Sequence, residues 1–265
     1  MIETFWIKLV LSFIVGSLWV TLTTVLAERY GSKIGGWIGG LPSTVLIGLF
    51  FIGYIQGTEI AAQATNIIPI IVGFNGIFLI LYASLIKRSF ILALIVSLIA
   101  WFVLSGIIII YNVENFLFSV IGWILLVFIS YYIFENLLKV KSYEKIIIEY
   151  SFSQLFLRTL FGGVVISFAV FMSKLAGPIY GGIFSAFPAM FLSTLIITYY
   201  ARGQEFSVAI AKSLMISGLI NVTIYAIAVK YTYIYFGLML GTILACIITV
   251  ISGYITYTFI QKKLI

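Results

Sequence analysis

The chain has 265 residues, 63% of them hydrophobic and 9% charged, with a net charge of +7. That composition excludes a soluble globular domain and defines a polytopic membrane protein. No His and no Asp occur and Cys246 is the only cysteine, which excludes histidine-ligated metal centres, Ser-His-Asp triads, an intrachain disulfide and Cys-x-x-Cys chemistry.

Nine apolar stretches are each long enough for the roughly 20 helical residues that cross a hydrocarbon core. They lie at 4–27, 34–55, 63–86, 90–111, 116–134, 155–174, 180–201, 208–229 and 234–260. Span 1 ends in Val25-Leu26-Ala27, which resembles a signal-peptide cleavage site. Its only cation, Lys8, lies inside the apolar run instead of in a basic leader, so the span is read as retained. Span 2 carries Gly35, Gly36, Gly39 and Gly40 ahead of Pro42-Ser43-Thr44, and span 3 carries Asn75. Between spans 5 and 6 the segment from Lys139 to Gln154 is charged and aromatic. There Tyr143, Ile146, Ile147 and Tyr150 fall at helical spacing, with Lys145 and Glu149 as an i,i+4 pair. This predicts a short helix on the cytoplasmic surface of the membrane, read as a plain linker with a regulatory element as the alternative. Span 7 holds Gly181-Gly182-Ile183-Phe184-Ser185-Ala186-Phe187-Pro188, and span 8 holds Asn221.

The chain echoes itself at an offset of 146 residues. Gly31, Gly35, Gly36, Pro42, Leu46, Leu49, Tyr54, Gly57, Glu59, Ile70 and Asn75 recur as Gly177, Gly181, Gly182, Pro188, Leu192, Leu195, Tyr200, Gly203, Glu205, Ile216 and Asn221. Gly16 and Gly162 extend the match into spans 1 and 6. The predicted fold is therefore all-α, with about nine transmembrane helices arranged as two four-helix repeats joined by a connecting helix. The first membrane repeat covers 1–111, the connecting helix and cytoplasmic linker 112–154, and the second repeat 155–265.

Charge sets the orientation. With the N-terminus outside and the C-terminus in the cytoplasm, Arg29, Lys33, Lys87, Arg88, Lys139, Lys141, Lys145, Arg158, Arg202, Lys212, Lys262 and Lys263 fall on the inner side. Only Lys8, Lys174 and Lys230 fall outside, so the positive balance is one of topology and gives no reason to invoke nucleic acid. Spans 2 and 7 are an odd number of crossings apart. The two repeats must then sit upside down relative to each other, as in many carriers.

Proline lacks an N–H and clashes with the carbonyl four residues back, so Pro42 and Pro188 should free the carbonyls of Ile38 and Phe184. Each proline lies roughly 12 Å into its span, one measured from either face. Paired broken helices at matched depths point to a binding site near the midplane, although glycine-rich kinks also serve plain helix packing. Asn75 and Asn221 fall at similar depth; each amide either joins helices by a hydrogen bond or faces a substrate. Gly57-Thr58-Glu59 and Gly203-Gln204-Glu205 read as punctuation, a glycine ending one helix and an acid in the first turn of the next. Arg158, Lys212 and Arg202 cluster toward the cytoplasmic side. There they either snorkel to phosphates or face the interior, where they would favour an anionic solute or a lipid headgroup. The candidate substrate-binding residues are thus Pro42, Ser43, Asn75, Pro188, Asn221, Arg158 and Lys212.

The run Gly181-Gly182-Ile183-Phe184-Ser185-Ala186-Phe187-Pro188, with Tyr200 and Gly203-Gln204-Glu205 downstream, resembles the GlpM-like inner-membrane proteins over one repeat. In architecture the whole chain is similar to the drug/metabolite transporter superfamily. The expected function is a secondary transporter or flippase of a small solute or lipid-type substrate, acting by alternating access in a prokaryotic cell membrane. Its expected partners are membrane lipids and that substrate, with no cofactor, no metal and no nucleic acid. The alternative is a non-transporting membrane scaffold or assembly factor. An enzyme is not expected, because the spans lack clustered polar groups.

Overall fold

A backbone in hydrocarbon must satisfy its own hydrogen bonds, and a chain this apolar does so with helices. The computed structural model describes residues 2–29, 42–141 and 151–263. The first repeat contributes α1 (Ile2–Arg29), α2 (Ser43–Gln56), α3 (Thr58–Ala64), α4 (Ile68–Leu85) and α5 (Phe90–Ile110). The connector is α6 (Phe116–Tyr132), continued by a π-helical turn, Ile133–Leu137. The second repeat contributes α7 (Phe152–Ala176), α8 (Pro178–Ser185), α9 (Ala189–Arg202) and α10 (Gln204–Lys263), which is broken at Gly237. Seven of these stretches are long and apolar enough to cross a membrane. The last holds two spans joined at Gly237 and the shorter α2 is added, giving nine among the described residues. This is an all-α polytopic membrane fold built from two repeats. The four glycines at 35, 36, 39 and 40, the Ile38 carbonyl and the surface helix expected around Tyr143, Lys145, Glu149 and Tyr150 lie outside the described residues.

Local sequence explains where the helices begin and turn. Ser89 and Asn115 cap α5 and α6 by accepting from the amides of Leu92 and Phe118, and Ser151 with Gln154 forms a capping box at α7. Gly57 and Gly203, repeat equivalents, each close a helix with φ of +104° and +82° and an extended ψ. That conformation belongs to glycine, and it lets the next helix start at once with Glu59 or Glu205 in its first turn.

The two repeats meet first through α1 and α7, whose contacts run in opposite senses. A side chain placed at Gly16 would meet Ile166, and one at Gly162 would meet Val20. Thr21 bonds Thr159 at 2.7 Å, and Arg158 reaches Thr24. As the residue number rises along α1 it falls along α7, so these equivalent helices are antiparallel. The contacts Gly16–Ile166 and Gly162–Val20 exchange under the 146-residue offset. Ser17 and Gly163, themselves equivalents, touch directly. A pseudo-two-fold axis therefore passes between them, and one repeat is the inverted image of the other.

Burial separates inner from outer helices. In α4 and in the α8–α9 pair 72% of the best apolar window is buried, against 11% for the α6 connector. The centre of the molecule is α4 with α2, α8 and α9, and α5, α6 and the last half of α10 face outward.

Candidate functional site: a cavity at the paired helix breaks

Pro42 and Pro188 take the same structural place. Each is the residue before a 14-residue helix, α2 or α9, with φ/ψ of −77°/59° and −74°/40°. The first turns are closed by Leu46 N–H to the Pro42 carbonyl and Leu192 N–H to the Pro188 carbonyl, both at 2.8 Å. Proline suits this position because the missing N–H is one that a helix start leaves unused. Pro188 thus restarts a helix instead of kinking a continuous one, dividing span 7 into α8 and α9, and Pro42 takes the equivalent place at the start of α2.

This changes which carbonyl is freed. The Phe184 carbonyl stays in a tightened turn, accepting from the Phe187 amide at 3.3 Å. Ala186, at φ −90° and ψ 7°, leaves the helix, and its carbonyl accepts from Asn75 Nδ2 at 3.1 Å. The Asn75 amide therefore joins helices by a hydrogen bond, which crosses from α4 of one repeat to the break in the other.

A cavity opens where the starts of α2 and α9 face each other, lined by Pro42, Ser43, Thr44, Asn75, Arg158, Ala186, Pro188 and Thr194, with Phe187, Phe191, Leu214 and Val222 among its apolar walls. Its volume is about 40 Å³, enough to admit water. Arg158 enters from α7. Its Nε donates to Thr24 Oγ1 at 3.2 Å, and its Nη1 donates to Ser193 Oγ at 3.2 Å and Thr194 Oγ1 at 2.6 Å. Asn75 is 5% exposed, and its Oδ1 has no hydrogen-bond partner among the described residues. The Ala186 carbonyl accepts only from an amide N–H, so the orientation of the Asn75 amide is fixed and Oδ1 is left as the acceptor.

Electrostatically the cavity is positive. The leading N–H groups of an α-helix have no intrahelical acceptor and carry the positive end of its dipole. Neither α2 nor α9 is capped by a side chain. Their N-termini come from opposite repeats and meet at the cavity beside the Arg158 guanidinium, and no acid lines it among the described residues. Such a place attracts an anionic group.

Five of the seven candidates from sequence, Pro42, Ser43, Asn75, Pro188 and Arg158, line this one cavity. The other two lie elsewhere. Asn221, 1% exposed, accepts from Ser252 Oγ at 3.0 Å and so ties together the two halves of α10. Lys212 Nζ sits 2.8 Å from Glu135 and donates to the Val140 carbonyl at 2.8 Å, which pins the segment after α6 to α10. Arg202 lies over the Phe206 ring, apart from both. The expected cytoplasmic cluster of Arg158, Lys212 and Arg202 is therefore three separate contacts. Sequence reasoning missed Thr24, Ser193 and Thr194. An arginine inside an apolar span needs acceptors, and hydroxyl side chains on neighbouring spans are the signal that offers them.

Two inverted helical repeats meeting at a polar cavity define a membrane protein of the internally duplicated class. The chain belongs to the family described as Protein of unknown function (DUF3147), which matches residues 9–116 and again 155–262. The windows are offset by 146 residues at both ends, so one repeat is one family unit. Comparison with curated proteins and with solved structures gives no significant match.

Proposed function

We propose that the protein is a carrier that moves a small solute or lipid-type substrate across a cell membrane by alternating access between its inverted halves. The observation that carries this reading is the cavity, in which residues from both repeats, Asn75 and Arg158 among them, meet at the starts of α2 and α9. Inverted repeats with discontinuous helices at their interface are the recurring architecture of secondary transporters. A scaffold has no need of a polar cavity shared between its two repeats. The antiparallel α1–α7 contact through Ser17 and Gly163 supplies a natural fulcrum.

The test is flux. Purified protein reconstituted into phosphatidylcholine–phosphatidylglycerol vesicles is expected to move at least one member of a panel of labelled anionic, neutral and cationic solutes and fluorescent lipids. Arg158→Gln is expected to change that flux by about tenfold or more, since the guanidinium lies at the cavity. Empty-vesicle rates for every member of the panel, with no ligand-induced rise in thermal stability, would sink the carrier reading.

A further inference from the structure

Resting on the carrier reading, we infer that the structure holds one of two symmetry-related states. It is shut where Gln56 meets Ser173, and its counterpart shuts at the opposite end, where Arg202 closes on Ala27. The 146-residue offset relates the two pairs, Gln56 to Arg202 and Ser173 to Ala27. Were both repeats in one conformation, every contact between them would have an exchanged partner, as the α1–α7 seam does. The second helices break that rule. α2 packs against both α1 and α7, whereas α9 packs against α7 and makes no comparable contact with α1 among the described residues.

The two ends differ residue by residue. At the α2–α7 end Gln56 Nε2 donates to Ser173 Oγ at 3.1 Å, and Ile52 and Ser173 are buried. A Cβ at Gly181 would meet both of these, and one at Gly48 would meet Ser185, so small residues carry the close approach of α2 to α7 and α8. At the other end Arg202 is exposed and lies over the Phe206 ring. There the long side chain of Arg158 stands between α1 and α9, donating to Thr24 on one and to Ser193 and Thr194 on the other. Its equivalent in the first repeat, Ser12, donates within its own helix to the Leu9 carbonyl, and α2 comes in directly. Helices bridged by an arginine stand further apart than helices in contact.

Inverted repeats can exchange conformations, because each already shows the arrangement the other would take. Exchange brings α9 onto α1 and Arg202 to Ala27, draws Arg158 out from between them, and parts Gln56 from Ser173. One end is then shut at a time, which is the two-state element that alternating access requires. The charge bias predicts that the end shut in this structure faces outward.

The experiment is cross-linking of the full-length Cys246→Ala protein carrying Ala27→Cys, Gln56→Cys, Ser173→Cys and Arg202→Cys together. The protein is treated in vesicles with a short membrane-permeant bismaleimide, and linked peptides and intact mass are read by mass spectrometry. Links at 56–173 and at 27–202 are both expected, in different molecules, with doubly linked chains below about a tenth of the total. The 56–173 link reports the arrangement seen in the structure within the same sample, so a folding defect does not imitate loss of the 27–202 link. Adding Gly48→Leu, which crowds Ser185 at the shut end, is expected to raise the ratio of 27–202 to 56–173 links by about threefold or more. A 56–173 link with no 27–202 link, or both links in most molecules, would overturn the exchange. With flux intact in the Cys246→Ala parent, that outcome leaves the carrier standing. Empty-vesicle rates for the whole solute panel would instead remove the carrier reading on which the inference rests.

Discussion

At the scale of single residues, the contact between Lys212 and Glu135 is unequal. The lysine side chain is 6% exposed and the glutamate 27%, at a separation of 2.8 Å. Removing the buried partner leaves a carboxylate that water can reach, whereas removing the carboxylate strands a buried ammonium on the Val140 carbonyl. Glu135→Gln is therefore expected to lower stability by about 3 kcal/mol. Lys212→Met should cost about 1–2 kcal/mol, and the double variant should recover much of the loss. Thermal unfolding of the four proteins in one detergent gives the coupling directly, and strictly additive losses would contradict the pairing. The sequence placed Lys212 at a cytoplasmic site because it sees only that a cation lies near the start of a span. The pairing brings together residues 77 positions apart, from 135 to 212, and depends on how the connector folds back. Asn75 and Asn221 make the same point. They are equivalent in the repeat, yet one amide lines the cavity and the other accepts from Ser252 of its own helix pair.

At the scale of helices, the α1–α7 seam decides whether the halves hold together. A Cβ at Gly163 would meet Ser17 Oγ and lie 3.0 Å from the backbone carbonyl of Phe13, so a larger side chain must push two backbones apart. Between transmembrane helices, close approach of small residues supplies much of the association energy. Gly163→Leu is accordingly expected to destabilise the protein by about 1–3 kcal/mol. Gly106, which has nothing within 4 Å, provides the contrast: Gly106→Leu should be neutral or stabilising by up to about 1 kcal/mol through helix propensity. Melting temperatures of the two variants in one detergent compare them, and equal effects would refute the close-approach argument. The helix breaks themselves were legible, because proline and glycine act locally and the repeat doubled the signal. The acceptor for Asn75 was not, since which carbonyl leaves the ladder depends on the turn after Ser185, where Ala186 adopts a non-helical ψ.

At the scale of the whole molecule, inversion is the property from which the carrier reading descends. The antiparallel α1 and α7 require it inside the molecule, and the charge bias predicts which side is which. Thr58 and Gln204 are equivalent positions, each just after the positive-φ glycine that ends a helix. A translational repeat would put both on one face of the membrane, and an inverted one puts them on opposite faces. In a Cys246→Ala background, Thr58→Cys is expected to react with a membrane-impermeant maleimide added to right-side-out vesicles. Gln204→Cys should stay unlabelled until the vesicles are opened. Labelling of both from one side would remove the inverted arrangement and, with it, the alternation of one cavity between two faces. Labelling in the reverse order would keep the inversion and turn the molecule over, with its cytoplasmic cations on the wrong side. The two positions therefore separate the internal symmetry, carried by helix packing, from the orientation, carried by charge.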